Sequence, residues 1–301
     1  MVLDLMKNHV NANCPAATLA RDYFHRFRCR SISLLLLVGI TAASAADFPP
    51  NPLEKPGWML DAHDEFDGPL LNTNLWNACY LESRTEKERA AARYEFRQGT
   101  LILYVDGNSK GYFKDGSNVM TVSGIQTGDR TRLHKDSDPI HHEIPVKLNY
   151  TPLYGYFEIR AKLPKGAQAA FWTVGTKDAP THAGEIDIFE SIKNKPKRLK
   201  YVLHTWGDKS LAYQHQEPEL DFDSTREFHV YALEWEEHEC VLYIDNRRVM
   251  NMPQSPNYPS IFLLTLYGNT RDSSKQEFII DYFRAYKRKG QSLTPGAVAF
   301  R

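Results

Sequence analysis

Amphipathic helix is the first thing missing from this sequence. Beyond residue 60 no stretch of any length carries apolar residues at helical spacing, which excludes helical bundles and βαβ folds. A membrane-length apolar run is missing too: the longest, about Ile32 to Ile40, falls far short of the ~20 residues a span needs. Excess charge is absent. Lys+Arg and Asp+Glu are both 37, so no net field draws in nucleic acid or an anionic membrane. Cysteine is scarce, with four in 301 residues, and no Cys/His spacing matches a metal site. Internal repeats and low-complexity blocks are lacking as well, which favours one domain.

What is present begins with a leader pattern. Arg26, Arg28 and Arg30 precede the apolar stretch, and Ala43-Ser44-Ala45 follows it as a small-residue cleavage pattern. This is the layout of a secretory signal peptide, with an uncleaved signal anchor as the alternative. Residues 1–45 are therefore expected to be an N-terminal extension and signal peptide, and the protein to be secreted or periplasmic with no stable membrane insertion. Removing them takes away five basic and two acidic residues, leaving 32 against 35. Cys14 and Cys29 leave with the leader. Cys79 and Cys240 remain, free to pair in an oxidising compartment or to stay as buried thiols.

From Leu60 onward the segments are short, rich in β-branched and aromatic residues, and punctuated by Gly, Pro, Asn or Asp. They include "GTLILYV", "YGYFEIRAKL", "AAFWTVG", "EIDIFES", "FHVYALEW", "SIFLLTLYG" and "EFIIDYFRAY". Phe157, Ile159, Ala161 and Leu163 alternate with Glu158, Arg160 and Lys162, the pattern of a half-buried strand. Many strands without helices imply two packed antiparallel sheets. The expected layout is a linker at 46–59, a sandwich domain at 60–290 and a tail at 291–301. The basic run Lys193–Lys200 reads as a solvated loop or as a rim that holds an anionic ligand.

One segment breaks the pattern. "GEIDIFES" holds Glu185, Asp187 and Glu190 in an otherwise apolar strand. Positions i and i+2 share a face of a strand, so Glu190 should point away from the other two. A β-bulge between Asp187 and Glu190 restores parity and brings all three carboxylates to one side. Clustered carboxylates cannot all ionise cheaply, which raises at least one pKa. An ionised and a protonated carboxyl group side by side suit double displacement at a sugar. A calcium site or an exposed strand edge are the alternatives.

In its residues this segment resembles the E-x-D-x-x-E signature of glycoside hydrolase family 16, the laminarinase-like branch. "DEFDGPLLNTNLWN", "YGYFEIRAKLP", "AAFWTVG", "FHVYALEWEEHECVLYIDNRRV" and "FIIDYFRAYKR" resemble other family segments in the same order. The resemblance spans about Asp64 to Lys289. It implies a concanavalin A-like jelly-roll β-sandwich of two curved antiparallel sheets. It implies a retaining endo-glycoside hydrolase with Glu185 as nucleophile, Asp187 as the assisting acid and Glu190 as acid/base. The substrate it implies is a polysaccharide, β-1,3- or mixed-linkage glucan first, and an algal galactan such as carrageenan, porphyran or agarose second. A non-catalytic lectin and a transglycosylase of the same fold remain open.

By the same resemblance Trp172 and Trp206, then Phe171, are expected as sugar platforms, and His204 as a cleft histidine. Asn269 and Arg271 are expected to reach the groove, whereas Trp235 reads as core. Asp281 stands where some relatives hold a structural calcium ion. No cofactor is required, and a monomer is expected. The sequence departs from laminarin-cutting relatives at "KDAPTHAGE", which lacks a tryptophan, and at "YGNTRDSS", so it supports the chemistry better than a particular glycan.

Overall fold

The computed structural model describes residues 46–114, 116 and 119–295. The expected leader at 1–45 and the end of the tail lie outside the described residues. Among the described residues sixteen strands run in chain order. They are β1 (Trp58–Asp64), β2 (Tyr94–Arg97), β3 (Thr100–Val105), β4 (Met120–Gln126), β5 (Gly128–Asp129), β6 (Lys147–Leu148), β7 (Gly155–Lys162) and β8 (Gln168–Gly175). There follow β9 (Glu185–Ile192), β10 (Lys195–His204), β11 (Gln214–Gln216), β12 (His229–Trp235), β13 (Cys240–Ile244), β14 (Arg247–Met252), β15 (Ser260–Asn269) and β16 (Gln276–Arg288). The single α-helix among the described residues is one turn, Lys87–Ala90.

Two antiparallel sheets form a jelly-roll sandwich. One has the order β14-β13-β12-β7-β16-β3-β2, with β1 also paired to β16; the other runs β11-β10-β9-β8-β15-β4. Alternation decides what lies between them. Phe157, Ile159 and Ala161 of β7 point inward with no exposure and meet Phe171, Phe189, Phe262 and Phe283 from both layers. Each such ring contributes about 1.5–3 kcal/mol by leaving water. Trp235 belongs to this core, as expected. A second cluster, with Tyr80, Tyr112, Trp172 and Leu263, covers part of the far face of the six-stranded sheet. The functional side chains stand beside it.

The 46–59 segment is not a linker. Phe48 N donates to Phe228 O at 2.8 Å, and Arg160 Nε donates to Phe48 O at 2.8 Å. Asn51 Nδ2 donates to Glu158 Oε2 at 2.9 Å, and Lys55 Nζ lies 3.5 Å from the same oxygen. The segment thus roofs the polar face of β7, leaving Glu158 with no exposure where alternation alone predicts a solvated acid. β1 itself begins at Trp58, inside the expected linker. The tail is also held: Thr294 donates through N and Oγ1 to Asp61, at 2.8 and 2.6 Å.

The structure also describes three other positions. Cys79 and Cys240 are both free thiols. The basic run is loop only at its start; Lys195–Lys200 is the first half of β10. Asp281 accepts from Arg160 Nη1 at 2.9 Å, so a guanidinium balances its charge.

Arg284 is the centre of the outer-face network. It donates to both oxygens of Glu65, at 2.9 and 2.7 Å, and to Asn51 O. Burial pushes the Glu65 pKa up, but the Arg284 and His63 hydrogen bonds outweigh it and bring it to about 2. Arg284→Met leaves Glu65 without its guanidinium partner, and equilibrium urea unfolding at pH 7 should lose about 1.5–3 kcal/mol. Because the Glu65 pKa is lowered on folding, its contribution is complete above the ordinary carboxylate range and fades as pH falls toward about 2. The Met variant should show a shallower loss of stability on acidification, and an unchanged acid limb would contradict this assignment.

Candidate active site

β9 is bulged where the acids require it. Against β8, Phe189 pairs with Phe171 but Asp187 pairs with Trp172, one step on β8 for two on β9. Against β10, Glu190 pairs with Lys200 and Asp187 with Val202, two steps for three. Ile188 and Phe189 therefore both enter the core, and two consecutive apolar residues let them do so. Glu185, Asp187 and Glu190 emerge together on the opposite face. Gly184 sets the start of the strand, because a Cβ there would lie 2.5 Å from Tyr258 Oη. That hydroxyl accepts from Gly184 N at 2.6 Å and donates to Asp208 at 2.7 Å.

The three carboxyl groups are placed in unequal surroundings. Glu185 is 6% exposed, and burial alone would raise its pKa. The positive His134 ring at 2.6 Å, with the Trp206 N–H behind it, reverses this and holds Glu185 below the ordinary carboxylate range. Asp187 is driven the other way. Burial, then the charges of Glu185 and Glu190, push it well above that range. Glu190 is raised by burial too, with Lys200 at 3.8 Å pulling it down and Glu185 pushing it up. Gln168 Nε2 donates to Glu190 Oε1 at 2.5 Å. Glu185 is thus the readiest of the three to ionise, and Asp187 and Glu190 keep a proton to higher pH, the direction of split that acid–base work at one centre needs.

The expected binding residues divide. His204 is at the site, its Nε2 3.5 Å from Asp187 Oδ2 and 3.7 Å from Glu185 Oε1. Burial lowers its pKa, so it is the neutral member of the group. Trp206 is also there, but as a donor: Nε1 gives a hydrogen bond to Glu185 Oε2 at 3.0 Å. Its ring stacks on His204 at 4.4 Å, and Lys135 Nζ lies 3.8 Å from its centroid. His204 thus covers one face of the ring, and Lys135 lies over it as well. Trp172 is 3% exposed, with Nε1 bonded to Thr265 Oγ1 at 3.0 Å, and forms floor rather than platform. Phe171 is corrected outright: neighbouring strand residues face opposite ways, and its ring is core.

Asn269 lines a cavity of about 430 Å³ with Glu190, Gln168, Lys193, Tyr80 and Tyr267. Arg271 does not reach it and stands exposed in the following turn. Sequence reasoning passed over His134, Asp138, Gln168 and Tyr213, and read Lys200 only as part of the basic run. The Tyr213 ring is 59% exposed, 5.5 Å from His204, and offers the open aromatic surface that the tryptophans do not. Ligand-type atoms of Glu185, Asp187 and His204 lie within 4.8 Å of one another, near enough for a cation. The donors on Glu185 and the raised Asp187 fit a proton-sharing acid cluster better.

Comparisons with known proteins bear on the family and the fold. The family profile described as Glycosyl hydrolases family 16 matches residues 142–282. Glucan endo-1,3-beta-glucosidase A1 of Niallia circulans is 26% identical over 269 residues, covering 77% of this chain; the chain spans only 38% of that relative's length. A GlcNAcα1-4Gal releasing endo-β-galactosidase from Clostridium perfringens is 32% identical, with a TM-score of 0.76 over 82% of this chain and 67% of that one. The laminarinase catalytic domain of Thermotoga maritima shares the fold at 21% identity and a TM-score of 0.58, over 77% of this chain and 99% of its own. The chain belongs to glycosyl hydrolases family 16.

Trp206→Phe keeps the stack on His204 and removes one donor from Glu185. A hydrogen bond to a charged group contributes about 1.5–3 kcal/mol, so kcat/KM on any cleaved glycan should fall roughly ten- to hundredfold. Circular dichroism should stay that of the wild type. A full-rate variant would remove Trp206 from the site's machinery.

Proposed function

We propose that this chain is an endo-acting glycoside hydrolase that cuts β-linked polysaccharide with retention of anomeric configuration. The observation that carries the reading is the bulge that brings Glu185, Asp187 and Glu190 to one face of β9, with surroundings that lower the Glu185 pKa and raise that of Glu190. In the first displacement a Glu185 oxygen bonds to the anomeric carbon as the glycosidic C–O bond breaks, and Glu190 gives its proton to the leaving oxygen. In the second, Glu190 takes a proton from water, the water oxygen bonds to the anomeric carbon, and the bond to Glu185 breaks. Protonated Asp187 lies between the two acids and moderates their repulsion. Carboxylates and water suffice for both steps, so neither a redox nor a nucleotide cofactor is called for. All the groups come from one chain, which suits a monomer, and the leader pattern suits export.

Relatives named as endo-1,3-beta-glucosidases support a β-1,3- or mixed-linkage glucan as substrate. A second reading is a β-galactoside within a galactose-containing glycan. It is favoured by the 32% identity and TM-score of 0.76 to a protein named endo-β-galactosidase. Lys193 beside the cavity suits an anionic substituent on such a glycan.

Reducing-sugar release from laminarin, lichenan, agarose, carrageenan and a galactose-containing mucin glycan separates the two. Release from one class by the wild type, abolished in Glu185→Ala, is the expected outcome; binding without release would make the chain a lectin. Proton NMR of early products should show the β-anomer first, and α-anomers first would overturn the roles assigned to the acids. Glu190→Ala should slow turnover by about 10²–10⁴-fold and recover with azide and an activated leaving group. The kcat/KM profile should be a bell, with its acid limb set by lowered Glu185 and its basic limb by raised Glu190.

A further inference from the structure

His134 lies 51 residues before Glu185, in the segment between β5 and β6. Its two ring nitrogens both face carboxylates: Nε2 is 2.6 Å from Glu185 Oε2, and Nδ1 is 3.1 Å from Asp138 Oδ2. A neutral imidazole has one donor and one acceptor, so only the doubly protonated ring satisfies both. The counter-charge is held in place. Arg84 Nη2 lies 3.2 Å from Asp138 Oδ1, and Lys135 N donates to Asp138 Oδ2 at 3.1 Å. Lys177 Nζ ties down the loop through His134 O at 3.1 Å and Asp136 at 2.7 Å. The imidazole is wedged edge-on between Trp172 and Trp206, at 5.7 and 5.2 Å.

The consequence falls on Glu185. Its Oε2 already receives two donors, His134 Nε2 and Trp206 Nε1, whereas Oε1 has only the His204 nitrogen, at 3.7 Å. We propose that His134, braced by Asp138 and Arg84, is a positioning residue that reserves Oε2 of Glu185, leaving Oε1 as the attacking atom, and that it keeps its hold as Oε2 becomes the ester carbonyl. This rests on the hydrolase reading above. In the first step Oε1 bonds to the anomeric carbon and the leaving oxygen departs with the Glu190 proton. In the second, water adds as Glu190 takes its proton, the Oε1–carbon bond breaks, and the carboxylate charge returns beside the imidazolium. His134 thereby assists departure of the carboxylate as well as its ionisation.

Burial opposes the His134 charge, and Glu185 and Asp138 outweigh it, so the ring stays protonated above the usual imidazole range. The other charged or titratable groups near it are Arg84, Lys135, Lys177 and His204. None of them replaces the donor on Oε2.

The test compares His134→Ala and His134→Gln with the wild type on whichever glycan the panel identifies. His134→Ala should lower kcat/KM roughly ten- to hundredfold and move its acid limb to higher pH, since Glu185 loses the charge that keeps it ionised. With an activated aryl glycoside of an accepted oligosaccharide, kcat and KM should fall together, because the ester accumulates. His134→Gln, an uncharged donor of similar reach, should recover part of the rate but not the acid limb. Should the Ala variant not fold, the Gln variant alone decides the question through that limb. The Glu185 carboxyl ¹³C titration, assigned by its loss in Glu185→Gln, reports the same hold without turnover. A wild type inactive on every glycan would sink the hydrolase reading and leave this titration readable. A Glu185 titration and an acid limb unchanged in both variants would overturn the role of His134.

Discussion

Burying three carboxyl groups on one strand face is the constraint on which the site depends. Each leaves water at a cost of several kcal/mol if it stays charged and alone. The protein meets this differently at each position: a cation and an N–H for Glu185, a proton for Asp187, an amide and a distant lysine for Glu190. The bulge in β9 is the backbone half of the arrangement. Without the additional residue the apolar pair Ile188–Phe189 could not both face the core while Glu190 joins its partners.

The surrounding sheet works as a frame for these contrasts. β8 supplies Gln168 and the Trp172 floor, and β10 supplies Lys200 opposite Glu190. The turn after β10 supplies Trp206, and the segment after β5 closes over Glu185 with His134. Two histidines thus meet the same carboxylate with opposite character. His204 is held neutral by burial, whereas His134 is held charged by carboxylates on both sides. Identity of residue decides little here; the acceptors around each ring decide its charge.

Much of this was legible in the sequence, for definite reasons. Period-two alternation in "YFEIRAKL" places its apolar face in the core, and the spacing of Glu185, Asp187 and Glu190 requires the bulge that the structure has. What escaped was non-local. Glu158 reads as solvent-facing from alternation, yet a segment more than a hundred residues away covers it. His134 sits in a stretch with no periodicity, and nothing local marks it as the partner of a residue 51 positions later. Phe171 and Trp172 show the limit of reading side-chain type alone: adjacent aromatics on one strand have opposite fates, and even the one on the correct face lies beneath the site.

The outer roof formed by residues 47–56 has one further implication. It binds the sheet that carries none of the acids, through Glu158, Arg160 and Arg284. Robustness and reactivity therefore reside in separate layers of the sandwich, with the phenylalanine core between them. Changes that loosen or tighten the roof can adjust how long the molecule survives without altering the proton balance of the carboxyl trio, which leaves the two properties free to be tuned independently.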